Sequence, residues 1–179
     1  MSFLNKKPVS LYIPDKQEFS SDLRKILGFR PGNLRLYEIA FIHRSASFTL
    51  SDGKKINNER LEYLGDAILD AILSDFLFEK FTDASEGFLT KIRARIVNRD
   101  MLNQIAVSMR IDKILVSNIG SAQSTKNLYG DAFEALIGSI FLGKGFRKSK
   151  KFFIKNVLSK YLDLHTIVKT DPDYKSLVF

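Results

Sequence analysis

Asn58-Glu59-Arg60-Leu61-Glu62-Tyr63-Leu64-Gly65-Asp66 sets three carboxylates among apolar residues at helical spacing. Residues three, four and seven apart share one face of an α-helix, so Glu59, Glu62 and Asp66 make one stripe. A second stretch, Gly130-Asp131-Ala132-Phe133-Glu134-Ala135-Leu136, makes another with Asp131 and Glu134. Stacked carboxylates repel each other, so a helix does not gather them for its own stability. A divalent cation removes the repulsion, and hard oxygen ligands of this kind suit Mg²⁺ or Mn²⁺. The rest of the chain is basic: 28 Lys and Arg against 20 Asp and Glu, for a net charge of +8. An acidic pocket in a basic protein points to an enzyme acting on a polyanion.

Working outward, the spacing predicts a helix from Asn57 or Asn58 to about Phe81, with Leu61, Leu64, Ile68, Ala71 and Ile72 on its apolar face. Upstream, a short helix is expected from Ser20 or Ser21 to Leu27, stopped at Gly28, and another from Leu34 to about Ala46 after the Pro31-Gly32-Asn33 turn. Ser51 to Lys55 reads as a polar loop. Downstream, Ser85 is a candidate cap for renewed helical periodicity through Met109, and Ile111 to Val116 for a helix fragment or loop plug. Ser117 to Lys126 reads as a flexible loop. Asn127 to about Leu142 is apolar nearly all round, as a buried central helix would be, and Gly143-Lys144-Gly145 ends it. Residues 146–162 are expected to form a basic amphipathic helix, with periodicity fading after Asp163. No stretch alternates convincingly like a strand. The fold class is all-α, with an extended arm at 1–19, a helical domain at 20–162 and a linker-like tail at 163–179.

At 179 residues, with 45% apolar residues and fifteen Phe, the chain can bury a real core. It has no Cys, which excludes disulfides, thiolate metal sites and cysteine nucleophiles and is compatible with a reducing cytosol. No apolar run approaches the length of a membrane span, and the N-terminus lacks the apolar stretch of a secretory signal.

The two acidic stretches lie far apart in sequence, so their carboxylates converge only if both helices share one core. The plain structural alternative is a solvated acidic face, with Asp131 and Glu134 paired to arginines. Asp131 and Glu134 argue against it, because they interrupt the most hydrophobic helix, where unpaired carboxylates are costly. A metal held there could activate water and offset charge on a leaving oxygen, which is the chemistry of phosphodiester hydrolysis.

The stretch Asn58 to Leu69 resembles the signature helix of bacterial ribonuclease III almost residue for residue. His43-Arg44-Ser45 resembles that family's turn after the preceding helix, and Gly130 to Gly138 its second acidic motif; the likeness covers about residues 20–162. The resemblance implies the family's all-helical endonuclease domain, working in the cytoplasm as a homodimer. It would cleave double-stranded RNA with Mg²⁺, for which Mn²⁺ can substitute, to 5′-phosphate and 3′-hydroxyl ends. Processing of ribosomal and messenger RNA precursors is the implied role. By the same resemblance, Glu62, Asp66, Asp131 and Glu134 form the metal centre, with Asp66 and Glu134 catalytic. Glu62 and Glu134 correspond to direct ligands, and Asp66 and Asp131 to acids that hold the metal or its water shell. Glu59 and Glu86 correspond to accessory acids, and Tyr63 to a residue of the dimer seam. Tyr63 stands where the family commonly has Phe, and Gly130 where it often has Ala.

Between Ala135 and Leu162 there are seven Lys or Arg and no acid, a face suited to phosphates or simply to water. Lys91, Arg93, Arg95 and Arg99 are further candidates for phosphate contact, on what reads as one helix. The ending from Asp173 to Phe179 resembles the linker and first residues of the double-stranded-RNA-binding domain that usually follows in bacterial members, cut short. Two rivals remain. A catalytically silent RNA scaffold of the same fold would not need the four central acids. A nucleotide phosphohydrolase usually needs several His ligands, and the two here, His43 and His165, lie outside the acidic motifs.

Overall fold

The computed structural model describes residues 15–118 and 127–169. Its centre is helix α6 (Leu128–Lys144), from Leu128 to Ile140 buried everywhere but at Tyr129, Asp131 and Glu134. Helix α3 (Glu59–Lys80) packs along it in the most extensive helix contact of the domain, with α2 (Leu34–Ala40), α5 (Arg99–Ser108) and α7 (Phe146–Phe152) closing the other sides. Helices α1 (Lys16–Leu27) and α4 (Glu86–Ile96) complete the core with Phe19, Leu23 and Leu27 from the first and Phe88, Ile92 and Ile96 from the second. The all-α expectation holds, with one small addition. Two-residue strands β1 (Phe48–Thr49) and β2 (Lys55–Ile56) pair antiparallel, Phe48 opposite Ile56. Gly53, at φ 80°, turns the hairpin. Two residues per strand are too few for alternation to show in the sequence.

Helix α1 begins four residues before Ser20. The Asp15 carboxylate accepts from Gln17 N at 2.8 Å and Glu18 N at 3.0 Å, a charge-assisted cap a turn earlier than the serines offer. The early start also seats Phe19 on the core face one turn before Leu23. Residues 16–19, expected in the arm, therefore belong to α1. Helix α2 stops at Ala40, well short of Ala46. Ile42 leaves it to bridge Val116 in parallel, with His43 N donating to Val116 O at 3.0 Å. A single 3₁₀ turn, Arg44–Ala46, follows.

Residues 146–162 are not one regular helix. After α7, Phe153–Leu158 forms a wider π-type turn before a last short helical turn, α8 (Ser159–Tyr161). Adjacent Phe152 and Phe153 are both buried, as are Val157 and Leu158, and the wider turn lets all four face the core. The tail does not fade at once either. Asp163 caps α9 (Leu164–Lys169), accepting from Thr166 N at 3.2 Å and from Thr166 Oγ1 at 2.6 Å. Arg95 then ties α9 to α4 through the Ile167 carbonyl at 3.1 Å, and Val168 is buried. Residues 170–179, and 119–126 of the expected flexible loop, lie outside the described residues. Among the described residues, no helix is long and apolar enough to cross a membrane.

Several expected phosphate contacts turn out to hold the fold. Arg93 donates to Ser74 Oγ at 2.7 Å, beside Asp70. Lys150 sits 2.7 Å from both Asp75 and Glu79, relieving a like-charge pair one turn apart on α3. Lys148 stands 4.2 Å over the ring of Phe29.

Candidate metal centre

Helices α3 and α6 cross at glycines. A methyl built on Gly65 would land on the Glu134 carbonyl, and it would lie 3.0 Å from Gly138 N. One built on Gly138 would strike the Leu61 carbonyl. No residue larger than glycine fits either position without moving a backbone. Directly after Gly138, Ser139 Oγ donates to Leu36 O at 3.1 Å and fixes α6 against α2. The crossing brings the acid stripe of α3 against that of α6.

Glu62, Asp131 and Glu134 converge: one carboxylate oxygen from each lies within 4.8 Å of the others. They line an open pocket of about 430 Å³ together with Glu59, Asp66, Tyr63, Arg44, Arg99 and Asn103. Asp66 is exposed and stands outside that trio, but its charge is the strongest carboxylate influence on Glu134. Glu59 stays at the rim because Asn57 holds it, donating to Glu59 Oε2 at 2.8 Å while Asn57 Oδ1 accepts from Glu59 N at 3.2 Å. Glu86 does not line the pocket. It opens α4, where its carboxylate accepts from Thr90 Oγ1 at 2.8 Å. Tyr63 is 82% exposed, the largest exposure among the big apolar side chains described.

Burial disfavours the charged form of all three acids. Burial, then the charges of Asp66, Glu62 and Asp131, push the Glu134 carboxyl up to about 8. Burial, Asp131 and Glu59 push Glu62 up to about 7. Burial also raises Asp131, against the pull of His43, Arg99 and Arg44. Three hard oxygen donors, all raised by burial and two of them further by neighbouring carboxylates, suit a divalent cation that keeps part of its water shell. They do not fit a structural ion pair.

The sign of the pH dependence follows. A carboxyl raised on folding carries no penalty below its unfolded value near 4.5, and an increasing one as pH climbs toward 7 and 8. We expect the metal-free protein to lose thermal stability between about pH 5 and pH 8 from these groups. Mg²⁺ should raise the melting temperature more at pH 8 than at pH 6. Scanning calorimetry at both pH values, with Mg²⁺ and with chelator, measures this; an equal Mg²⁺ effect at both would contradict it.

The sequence offers Arg99 only as one of four candidate phosphate contacts and leaves Arg44 and Asn103 without a role in the pocket. Asn98 is not inside a helix: it breaks the chain after α4 and caps α5, accepting from Met101 N at 2.9 Å. Arg99 therefore opens a new helix and enters the pocket, while Arg93 and Arg95 point to structural partners. Asn103 Oδ1 accepts from Gly130 N at 2.8 Å, satisfying a donor in the first turn of α6 that Asn127 leaves without a side-chain cap. The one signal in the sequence is the spacing of Arg99 and Asn103, four residues apart on one face.

Fold and pocket together define an all-helical domain with an acidic cluster that could hold a metal ion at a glycine-mediated helix crossing. The ribonuclease-III-like family profile matches residues 33–161. The chain is 42% identical over 166 residues to Ribonuclease 3 of Bacteroides fragilis, covering 93% of this chain and 57% of that protein. It is 40% identical over 166 residues to Ribonuclease 3 of Bacteroides thetaiotaomicron, covering 93% of this chain and 53% of that protein. Among solved structures, the ribonuclease III nuclease domain of Campylobacter jejuni, described for flexibility in its dimer-forming region, superposes with a TM-score of 0.67 at 32% identity. That match covers 78% of this chain and 96% of the solved one. The chain belongs to the ribonuclease-III-like family, and it spans a little over half the length of these Bacteroides relatives.

Proposed function

We propose that this domain is a divalent-metal-dependent endoribonuclease that hydrolyses double-stranded RNA to 5′-phosphate and 3′-hydroxyl ends, as a homodimer. The observation that carries the reading is the convergence of Glu62, Asp131 and Glu134 within 4.8 Å in a domain of this family. Those three would hold the cation, and Asp66, exposed beside Glu134, would hold a water of its shell. The bound cation would supply a water of lowered pKa and charge to offset that on the leaving oxygen. In the reaction the water oxygen bonds to phosphorus, the bond to the 3′-oxygen breaks, and that oxygen takes up a proton. Mg²⁺ is the ion we assign and Mn²⁺ its substitute, on the hardness of the donors. Glu59 and Glu86 remain accessory assignments, the first at the rim and the second outside the pocket. Processing of ribosomal and other structured precursors in the cytoplasm is the corresponding cellular role.

The test is a gel assay of the chain on long double-stranded RNA at low salt with Mg²⁺, with Ca²⁺ and with chelator. Cleavage to short duplexes with Mg²⁺ alone supports the reading. Binding with no cleavage in Mg²⁺ or Mn²⁺ would replace it with a silent scaffold.

Dimerisation has its own test. Tyr63 lies on the outer face of α3 beside the pocket, an aromatic ring left largely uncovered among the described residues. In a two-fold dimer each such residue meets the same surface of its mate. Tyr63→Asp should leave the melting profile nearly unchanged at low concentration while shifting sedimentation from dimer to monomer, by about tenfold or more in dissociation constant. A dimer of unchanged strength would remove Tyr63 from the seam.

A further inference from the structure

Two cations line the acidic pocket, and one of them, Arg99, is not placed where local stability favours it. Arg99 holds the first position of α5, where the helix dipole is positive and favours acids over bases. Arg44 opens the 3₁₀ turn that follows His43. A residue that breaks a local rule without local gain directs attention to function.

The backbone around both is tied down. Arg99 shares a face with Asn103, whose bond to Gly130 N locks that face against the turn carrying Asp131. The Arg44 turn is held by His43 Nδ1, which accepts from Ser45 N at 3.1 Å, and by Ser45 Oγ, which accepts from Asn118 N at 3.0 Å. Both arginines are exposed and line the same pocket as the acids. Among the described residues neither guanidinium closes an ion pair with those acids. Their charge is still felt there: both oppose the raising of Glu62 and Asp131, and Arg99 also that of Glu134.

Charge decides what they are for. Glu59, Glu62, Asp66, Asp131 and Glu134 carry five negative charges when ionised, and one divalent cation leaves three. A phosphodiester entering such a pocket would be repelled. The two arginines bring the sum to one, and each offers a planar fork of donors matched to phosphate oxygens. We propose that Arg99 and Arg44 are positioning residues that hold backbone phosphates of the RNA strand at the acidic centre. This rests on the endoribonuclease reading above.

The test uses fluorescence anisotropy of a labelled RNA duplex in Ca²⁺ across a salt series, with cleavage in Mg²⁺ alongside. The proteins are wild type, Arg99→Ala, Arg44→Ala, the double variant and Arg99→Lys. As a control for loss of one charge, Lys25→Ala removes an exposed α1 lysine already paired with Asp22 at 2.7 Å. Each arginine lost should weaken binding about tenfold and reduce the slope of log affinity against log salt by about one per site engaged. KM should rise by a similar factor. Lysine at 99 should restore the slope but only part of the affinity, because a point charge replaces a fork. Lys25→Ala should change neither. A double variant with wild-type slope and affinity would overturn the proposal. So would variants that lose metal affinity by calorimetry while keeping the salt slope, since the arginines would then only support the acids. If the wild type neither binds nor cleaves the duplex, the endoribonuclease reading itself fails.

Discussion

Glu134→Gln should abolish RNA cleavage, by about a thousandfold or more, while making the metal-free protein more stable at pH 8. The two effects have one cause. Glu134 is held in a half-buried position among Asp66, Glu62 and Asp131, and its carboxyl is pushed up to about 8. A neutral amide of nearly the same shape removes the repulsion and the cost of desolvating a charge, but it also removes a proposed metal ligand. The stability gain should be present at pH 8, where the wild-type group is about half ionised, and should vanish near pH 5, where it is protonated in the folded state. The Mg²⁺-dependent rise in melting temperature should shrink with it. Single-turnover cleavage and calorimetry on the same preparations measure both. Wild-type cleavage would remove Glu134 from the centre. Loss of activity with lower stability at every pH would make it a structural acid.

Gly65→Ala is expected to be the most damaging methyl in the domain, destabilising by about 2–4 kcal/mol. The added carbon would occupy the space of the Glu134 carbonyl, and backbone on both sides leaves no flexible side chain to give way. Alanine's better helix propensity, worth about 0.5–1 kcal/mol in a helix interior, is too small to offset this. To fold at all, α3 and α6 must separate, and that movement carries Glu62 and Asp66 away from Asp131 and Glu134. Metal affinity should therefore fall more steeply than fold content. Gly87→Ala is the matching control, because a methyl there meets only Ser85 Oγ at 4.0 Å, near the exposed start of α4. Urea unfolding and metal titration of both variants test the argument. A Gly65→Ala protein with unchanged midpoint and unchanged metal affinity would show that the close crossing does not set the site.

The same crossing explains why the site is only partly legible in the sequence. Helical periodicity places Glu62 and Asp66 on one stripe and Asp131 and Glu134 on another, and the fold puts both stripes in one pocket. Periodicity also identifies α6 as the buried centre, since a helix apolar nearly all round has no face to spare for water. It fails where long-range contacts override local pattern. Helix α9 exists because Arg95 and the core accept it, and the π-type turn because two adjacent phenylalanines are both buried. The assignment of Arg93, Arg95 and Arg99 to one helix fails for a local reason. Asn98 fits a helix interior by spacing alone, yet its side chain caps the next helix and ends the one before.

By itself the sequence determined the class of fold and the two acidic stripes with their hard oxygen donors. Those depend on residue type and on spacing along a helix of fixed pitch. Only the tertiary structure decided which acids meet. Glu62, Asp131 and Glu134 converge, Asp66 stands beside them, Glu59 is held at the rim by Asn57, and Glu86 lies outside. It also decided which bases serve the fold and which face the site. Both outcomes turn on the depth to which α3 and α6 approach at Gly65 and Gly138 and on the lock of Asn103 against Gly130. Contacts between residues so far apart in the chain are fixed by packing the core, and a single linear sequence carries no period that reports them.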